Sequence, residues 1–328
     1  MRQNVLVSES KNIQVMEKHI KRNFFYLLIL GVTSIITSCT ENKTKTLETA
    51  TVSEPKTEEV APAPKLSEEF KAYWYDGEAE ITSYKLEQAR YGELREGTAV
   101  LVYVTEDFLP NVQVKADNYN ETNIPVLKLN ATKNFNTGIY PYSIMQSTFY
   151  PVTNNQHALK ISASIQEWCG HVYMQLNNRN TFEVQSHSYF QGEADENFKL
   201  DKTWTENELW TKLRIDPKSL PVGQLDLIPA LESTRLNHEA LEPQKAFTKL
   251  ENNSYTISYP EANRTLKINF NPNFPFDILG WEETTTNGIG TSSATLTTKA
   301  TKLETLKSDY WNKKSNADLN LRETLKLQ

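Results

Sequence analysis

The side chains best suited to chemistry in this chain lie close together: Glu167, Cys169, His171 and His187. Carboxylate, thiol and imidazole are the ligand types of zinc and related divalent ions, and also the working groups of cysteine hydrolases. Between Gln166 and Gln191 the residues alternate. Trp168, Gly170, Val172, Met174 and Leu176 form one face, and Glu167, Cys169, His171, Tyr173 and Gln175 the other. Phe182 and Val184 continue the apolar face on the next segment, with Glu183, Gln185, His187 and Tyr189 opposite them. The turn Asn177-Asn178-Arg179-Asn180 makes the two a hairpin. Matching apolar face to apolar face requires paired residue numbers with an even sum, because a one-residue slip flips every side chain. A three-residue loop of Asn178, Arg179 and Asn180 sets Asn177 against Thr181, His171 against His187 and Cys169 against Tyr189. Cβ atoms directly opposite lie about 4.5–5.5 Å apart, so two imidazoles could share a divalent metal or a proton network with Glu167 or Cys169. A cysteine hydrolase would use His187 as its base, since His171 shares the strand of Cys169. The competing reading is a polar network that only fixes strand register, with an inert Cys169.

Other polar groups are sparser. Arg235 and His238 flank a turn, Arg264 opens a strand after Pro260-Glu-Ala-Asn263, and Glu282-Glu283 follow Gly280-Trp281. Neighbouring strand residues point apart, so the two glutamates need a partner from elsewhere to do acid–base work. The sequence has no H-E-x-x-H, no G-x-S-x-G elbow, no phosphate-cradling Gly-rich loop and no multi-cysteine zinc pattern.

The elements that must carry these groups are mostly strands. From Phe70 onward, period-two alternation with β-branched and aromatic residues predicts strands over 78–86, 98–105, 126–129, 140–149, 158–165, 168–176, 182–190, 254–259 and 265–270. Short Asn/Gly/Pro turns make them antiparallel. Thr205 with Glu208 reads as a capping box opening a helix with Leu209, Trp210 and Leu213 on its apolar stripe, stopped by Pro217. Leu303, Leu306, Tyr310 and Trp311 recur at helical spacing and predict a C-terminal helix, and residues between Pro217 and Lys249 read as extended loop. The expected fold is mainly β: a twisted antiparallel sheet, curled towards an open barrel, with a few helices at its sides.

The N-terminal fifth has a different character. Lys18–Arg22 is basic, and Phe24–Ile36 is an apolar run of thirteen residues, the length of a signal h-region and short of the roughly 20 a membrane span needs. It ends in Ile36-Thr37-Ser38-Cys39, which resembles a bacterial lipobox and implies a signal peptide over 1–38, cleavage after Ser38 and lipid attachment at Cys39. Several acyl chains anchor a protein far more firmly than one. Translation starting at Met16 would give a charged n-region of ordinary length. Residues 39–66 form a lipidated, disordered tether rich in Thr, Glu, Lys and Pro, and residues 67–328 form the globular domain. Without residues 1–38, 30 basic groups face 39 acidic ones among the 35 and 41 of the whole chain, which argues against nucleic acid as a partner.

Beyond the lipobox, Gln166–His171, Ser186–Phe190, Leu213–Pro217, Arg264–Leu266 and Gly280–Glu283 give most of residues 70–328 a resemblance to a lipoprotein family of Bacteroidota, itself uncharacterised. Members are often labelled septum formation inhibitor Maf. Maf proteins are small cytoplasmic α/β pyrophosphatases with a Ser-x-Ser-x-Arg motif after their first strand, and this sequence has neither that motif nor that pattern. By analogy with lipoprotein sorting, Thr40 after the cysteine points to the outer membrane, and Glu41 alone, where surface export resembles a dense acidic signal, points to its periplasmic face. The expectation is a membrane-anchored envelope lipoprotein whose β-domain binds or scaffolds an envelope protein, a lipid or a glycan without catalysis. The alternative is an envelope hydrolase or metal-dependent enzyme built on Cys169, His171 and His187. No cofactor is expected, apart from a divalent metal if the two histidines hold one.

Overall fold

A computed structural model describes residues 66–153, 156–287 and 294–327. The expected signal segment, Cys39 and the expected tether through Lys65 lie outside the described residues. Sixteen strands form one sheet: β1 (Ala79–Arg90), β2 (Glu93–Leu109), β3 (Val114–Lys115), β4 (Ile124–Thr137), β5 (Tyr140–Pro151), β6 (Lys160–Glu167), β7 (Gly170–Asn178), β8 (Phe182–Ser188), β9 (Asp195–Leu200), β10 (Trp204–Thr205), β11 (Gly223–Ile228), β12 (Gln244–Leu250), β13 (Ser254–Tyr259), β14 (Arg264–Phe270), β15 (Ile278–Asn287) and β16 (Ala294–Ser308). The order runs β10-β11-β12-β13-β14-β15-β16-β1-β2-β4-β5-β6-β7-β8-β9, with β3 paired to β2 off the path. Every pairing is antiparallel except β10 with β11. All nine expected strands are present, most of them longer than their patterns suggested.

The sheet is strongly curled. Its two edge strands, β9 and β10, are consecutive in the chain and joined by residues 201–203 alone. Three residues let Leu200 and Trp204 stand no more than about 14 Å apart, whereas fourteen steps of about 4.8 Å across a flat sheet would part the edges by roughly 67 Å. Among the described residues no ladder joins the two edges, so the sheet curls round without closing into a barrel.

Helix α1 (Glu68–Trp74) precedes β1. Helix α2 (Glu206–Ile215) lies against the inner face instead of at the sheet's side, and α3 (Leu231–Asn237) lies beside it. The capping box is as expected: the Glu208 amide donates to Thr205 Oγ1 at 3.3 Å, and the Thr205 amide donates to Glu208 Oε1 at 2.9 Å. Thr205→Ala removes one half of it and is expected to cost about 1 kcal/mol, read as a lower urea midpoint at unchanged slope. The stripe of Leu209 and Leu213 is buried, but so are Glu206, Asn207, Glu208, Thr211, Lys212 and Arg214. Such a helix is enclosed on nearly all sides, and its charges must find partners inside.

Two expectations fail. The C-terminal segment is not a helix but β16, pairing with β1 and β15. Its Thr-rich run favours a strand, and the helix-like spacing of Leu303 and Leu306 arises at a bulge, where the β1–β16 register shifts between Thr82 and Tyr84. Tyr310–Asn312 and Asn316–Leu319 make short 3-10 turns after it, and α4 (Asn320–Thr324) follows, with Leu325 tucked against Ala79, Ile81 and Val104 on the outer face. The stretch after Pro217 is not loop throughout; it holds β11, α3 and β12. Its seven-residue helix buries Glu232, Ser233, Thr234 and Arg235 beside Leu231, so it shows no apolar stripe to read.

Candidate functional site

The hairpin singled out from sequence is β7–β8, and its faces are as expected from His171 onward, but Trp168, expected on the apolar face, is exposed and lies with Cys169 in the turn between β6 and β7. Val172, Met174, Leu176, Phe182 and Val184 are buried, while His171, Tyr173, Gln185 and His187 point outward. The register is two residues away from the expected one. Asn178 pairs with Phe182 across a loop of Arg179, Asn180 and Thr181, closed by the Arg179 amide donating to Thr181 O. The expected facing of His171 and His187 is therefore corrected: Tyr173 faces His187, and His171 faces Gln166 on β6. The even sum survives because face parity is set by burial, whereas the loop residues do not fix which even sum is taken. His187 Nδ1 lies 3.3 Å from Asp195 on β9, and His171 Nε2 is 3.5 Å from Ser164 Oγ. Cys169 is exposed, and its amide donates to Glu167 Oε2 at 2.5 Å. Hydrogen bonding to the Glu167 carboxylate pushes the thiol up from its ordinary range, the opposite of an activated nucleophile. Among the described residues no three His, Cys, Asp or Glu side chains gather as a metal site.

What the fold does assemble is an internal cavity of about 140 Å³ between the inner face of the sheet, α2 and α3. Six charged side chains line it: Arg90, Lys133 and Arg264 against Glu206, Glu232 and Glu283. Arg264 opens β14 and reaches back to the first turn of α2, its Nη1 and Nη2 donating to Glu206 at 2.6 and 2.7 Å while Nε donates to Glu283 of β15 at 2.5 Å. Lys133 of β4 donates to Glu232 at 2.8 Å. Arg90 Nη1 donates to the Leu236 carbonyl at the end of α3 at 2.6 Å.

Polar bridges hold the two helices to the wall. Asn207 Nδ2 donates to Gln146 Oε1, and Gln146 Nε2 donates to Glu232 Oε2, both at 2.9 Å. Helix α3 has no cap of its own, and the amides of Leu231 and Glu232 donate to Asn207 Oδ1 and Gln146 Oε1 in its place. Trp210 and Trp281, edge to face at 5.2 Å, add apolar surface. A second space of about 150 Å³ shares Ser233, Asn237, Arg264 and Thr285 with the first.

Three of the charges in this site are held by their neighbours. Burial works against the Glu283 carboxylate, but Arg264 and Lys133 outweigh it and hold its pKa below the ordinary value. Burial opposes the Lys133 ammonium in the same way, and Glu232 and Glu283 raise it nonetheless. Arg264 is raised well above its ordinary value, its burial overcome by Glu206 and Glu283. A general acid or base needs a pKa near the working pH, and these three groups are driven away from it.

Sequence reasoning noticed Arg264 and Glu283 without seeing that they meet, and passed over Glu206, Lys133 and Glu232. The available signal was the polar face of α2, where Glu206-Asn207 stands directly before the apolar stripe. His157 was also missed; its Nδ1 lies 2.9 Å from the buried Glu208, which also accepts from the Ala158 amide at 2.6 Å. That carboxylate is fully occupied in holding the β5–β6 connection to the start of α2. No family profile, curated protein or solved structure gives a significant match to the chain.

Proposed function

We propose that the protein is an envelope lipoprotein whose β-domain binds an uncharged polar small molecule in this cavity without transforming it. The observation that carries the reading is the charge-compensated lining, three cations against three carboxylates around a partly open cavity of about 140 Å³. Pockets of this kind, apolar surface with a few converging polar groups, are the usual form of ligand sites. An ionic ligand at Lys133 or Arg264 would have to displace an existing pair, because both are already matched by carboxylates, while Arg90 is held by the Leu236 carbonyl and the Tyr91 and Tyr142 hydroxyls. The absence of a group poised to move a proton among Lys133, Arg264 and Glu283 favours binding over catalysis. The lipobox-like Ile36–Cys39 supports the envelope location and a lipid anchor in the outer membrane, facing the periplasm.

Native mass spectrometry of the lipidated protein, extracted from its own membrane without chelator, tests this. The expected result is an organic adduct that disappears in Ala131→Phe, which puts a ring into the cavity. An adduct or metal ion that persists in Ala131→Phe but vanishes in His171→Ala or His187→Ala would move the function to the β7–β8 hairpin. A bare mass, together with an unchanged melting temperature across a panel of neutral metabolites, would also overturn the reading.

A further inference from the structure

We infer that the ligand is a neutral saccharide, one ring of which enters the cavity while the following rings lie along an aromatic strip on the domain's end. The inference rests on the cavity being a ligand site and adds what the ligand is.

The strip begins at the mouth. Neighbouring strands in the order β1-β2-β4-β5-β6-β7 alternate in direction, so the tips of the β1–β2, β4–β5 and β6–β7 hairpins stand side by side. Tyr91, at the first tip, lines the cavity and is 59% exposed. Its hydroxyl is 2.8 Å from that of Tyr142, whose ring is 6.0 Å from Tyr140. Tyr140, at the second tip, stacks on Trp168 of the third at 6.4 Å with the planes 30° apart, and Trp168 is 70% exposed. Aromatic faces are electron-rich and pack well against the polarised C–H face of a sugar ring. The Gln166–His171 segment, conspicuous in the sequence, thus stands beside the cavity mouth by way of Tyr140.

Backbone strain marks the same place. Arg90 pairs with Glu93 across a two-residue turn, Tyr91-Gly92, with both φ angles positive, 54° and 78°. Asn-Gly is the preferred sequence for such a turn, and a tyrosine in the left-handed region costs on the order of 1 kcal/mol. Strain kept at a cavity mouth points to use of the ring.

The lining narrows the ligand class. A hydrocarbon chain would make no use of the polar lining, and an ion would meet Lys133 and Arg264 already matched by carboxylates. A polyol ring brings hydroxyls that both donate and accept. It also brings a flat C–H face for Trp210.

The test is calorimetric titration of the full lipidated protein, kept in an amine-oxide detergent because glycoside detergents would compete. The probes are mono- to hexasaccharides of β1,4-linked glucose, α1,4-linked glucose, β1,4-linked N-acetylglucosamine and α1,6-linked mannose, with O-sulphated counterparts. One neutral series is expected to bind, with affinity rising over the first ~3 units. Trp168→Ala and Tyr140→Ala should weaken the long members about tenfold and leave the monosaccharide unchanged, and Ala131→Phe should abolish both. Tyr91→Asn should weaken binding while raising the melting temperature, a split that a purely structural tyrosine would not give. Sulphated chains binding as well as neutral ones, or no response to Trp168→Ala, overturns the inference. If no saccharide in the set binds, it also fails, and the cavity reading is then judged separately by the native-mass adduct.

Discussion

Glu80→Ala is expected to destabilise the domain by about 3–5 kcal/mol, the usual cost of removing one partner from a buried ion pair. Glu80 lies on β1 and Arg214 in the last turn of α2, each with its side chain 1% exposed. The guanidinium donates Nη1 and Nη2 to the carboxylate at 2.6 and 2.7 Å and Nε to the Pro275 carbonyl at 3.1 Å, and the Tyr73 hydroxyl donates to Glu80 at 2.6 Å. Trp74 and Tyr103 flank the guanidinium at 5.0 and 4.6 Å. Alanine leaves that cation in a dry interior with no anion, and α2 loses the contact that ties its C-terminal end to the sheet. The measurement is urea unfolding followed by near-ultraviolet circular dichroism, with the loss read from the midpoint at constant slope. The double variant Glu80→Leu/Arg214→Met should recover most of the loss, because the pair's attraction is largely offset by its desolvation. A cost below about 1 kcal/mol for Glu80→Ala, the size seen for exposed pairs, would mean that water reaches the pair and α2 is not enclosed.

That pair also marks where sequence reading stops. Period-two alternation located nine strands because each needs one buried face, and Val172, Met174 and Leu176 announce it without reference to anything distant. The Thr205–Glu208 box was readable for the same reason, its two bonds spanning three residues. Glu80 and Arg214 are 134 positions apart, and Arg264 and Glu206 58 apart. Each is an unremarkable charged residue until the curl of the sheet brings β1 and β14 round to α2. The misplaced pairing of His171 with His187 has a related cause. Burial sets parity along a strand, but the choice between registers two residues apart depends on how the loop Arg179–Thr181 closes, which Asn-rich sequence leaves open. The cavity was out of reach for a further reason. Its charges cancel only when residues of β1, β4, α2, α3, β14 and β15 are counted together, and an isolated buried charge would read as an error in any one of them.

Interior phenols set a second large effect, on the alkaline side. Tyr84, Tyr103, Tyr150, Tyr255 and Tyr259 are each exposed by 2% or less. Burial raises all five above the ordinary value of 10.0, with nearby carboxylates adding to the rise at Tyr150 and Tyr259. Four of the hydroxyls donate to acceptors that a phenolate could not use: Tyr84 to Ile278 O, Tyr103 to Trp210 O, Tyr255 to Pro221 O and Tyr259 to Glu206 Oε2. A group whose folded pKa is raised contributes stability that is intact below its unfolded value and lost as the pH climbs above it. At pH 11 each tyrosine that must stay protonated costs roughly 1.4 kcal/mol relative to the unfolded chain, and five together cost roughly 7, comparable to the whole stability of an ordinary domain. Unfolding between pH 10 and about 12 is therefore expected as one cooperative step, with tyrosinate absorbance rising together with the loss of near-ultraviolet dichroism. On the acid side the sign reverses. Burial is outweighed by Arg214 at Glu80, by Arg264 at Glu283 and by Lys302 at Asp277, so these folded pKa values are depressed, and their contribution is lost as the pH falls below about 4.5. Melting temperature should then be flat between these limits. Tyr255→Phe removes one titrating phenol and should move the alkaline midpoint upward relative to the variant's own neutral-pH stability. Smooth titration of all tyrosines near pH 10 with the fold intact would mean that the phenols face water, and that the space inside the curled sheet is open solvent instead of a site that can hold a ligand.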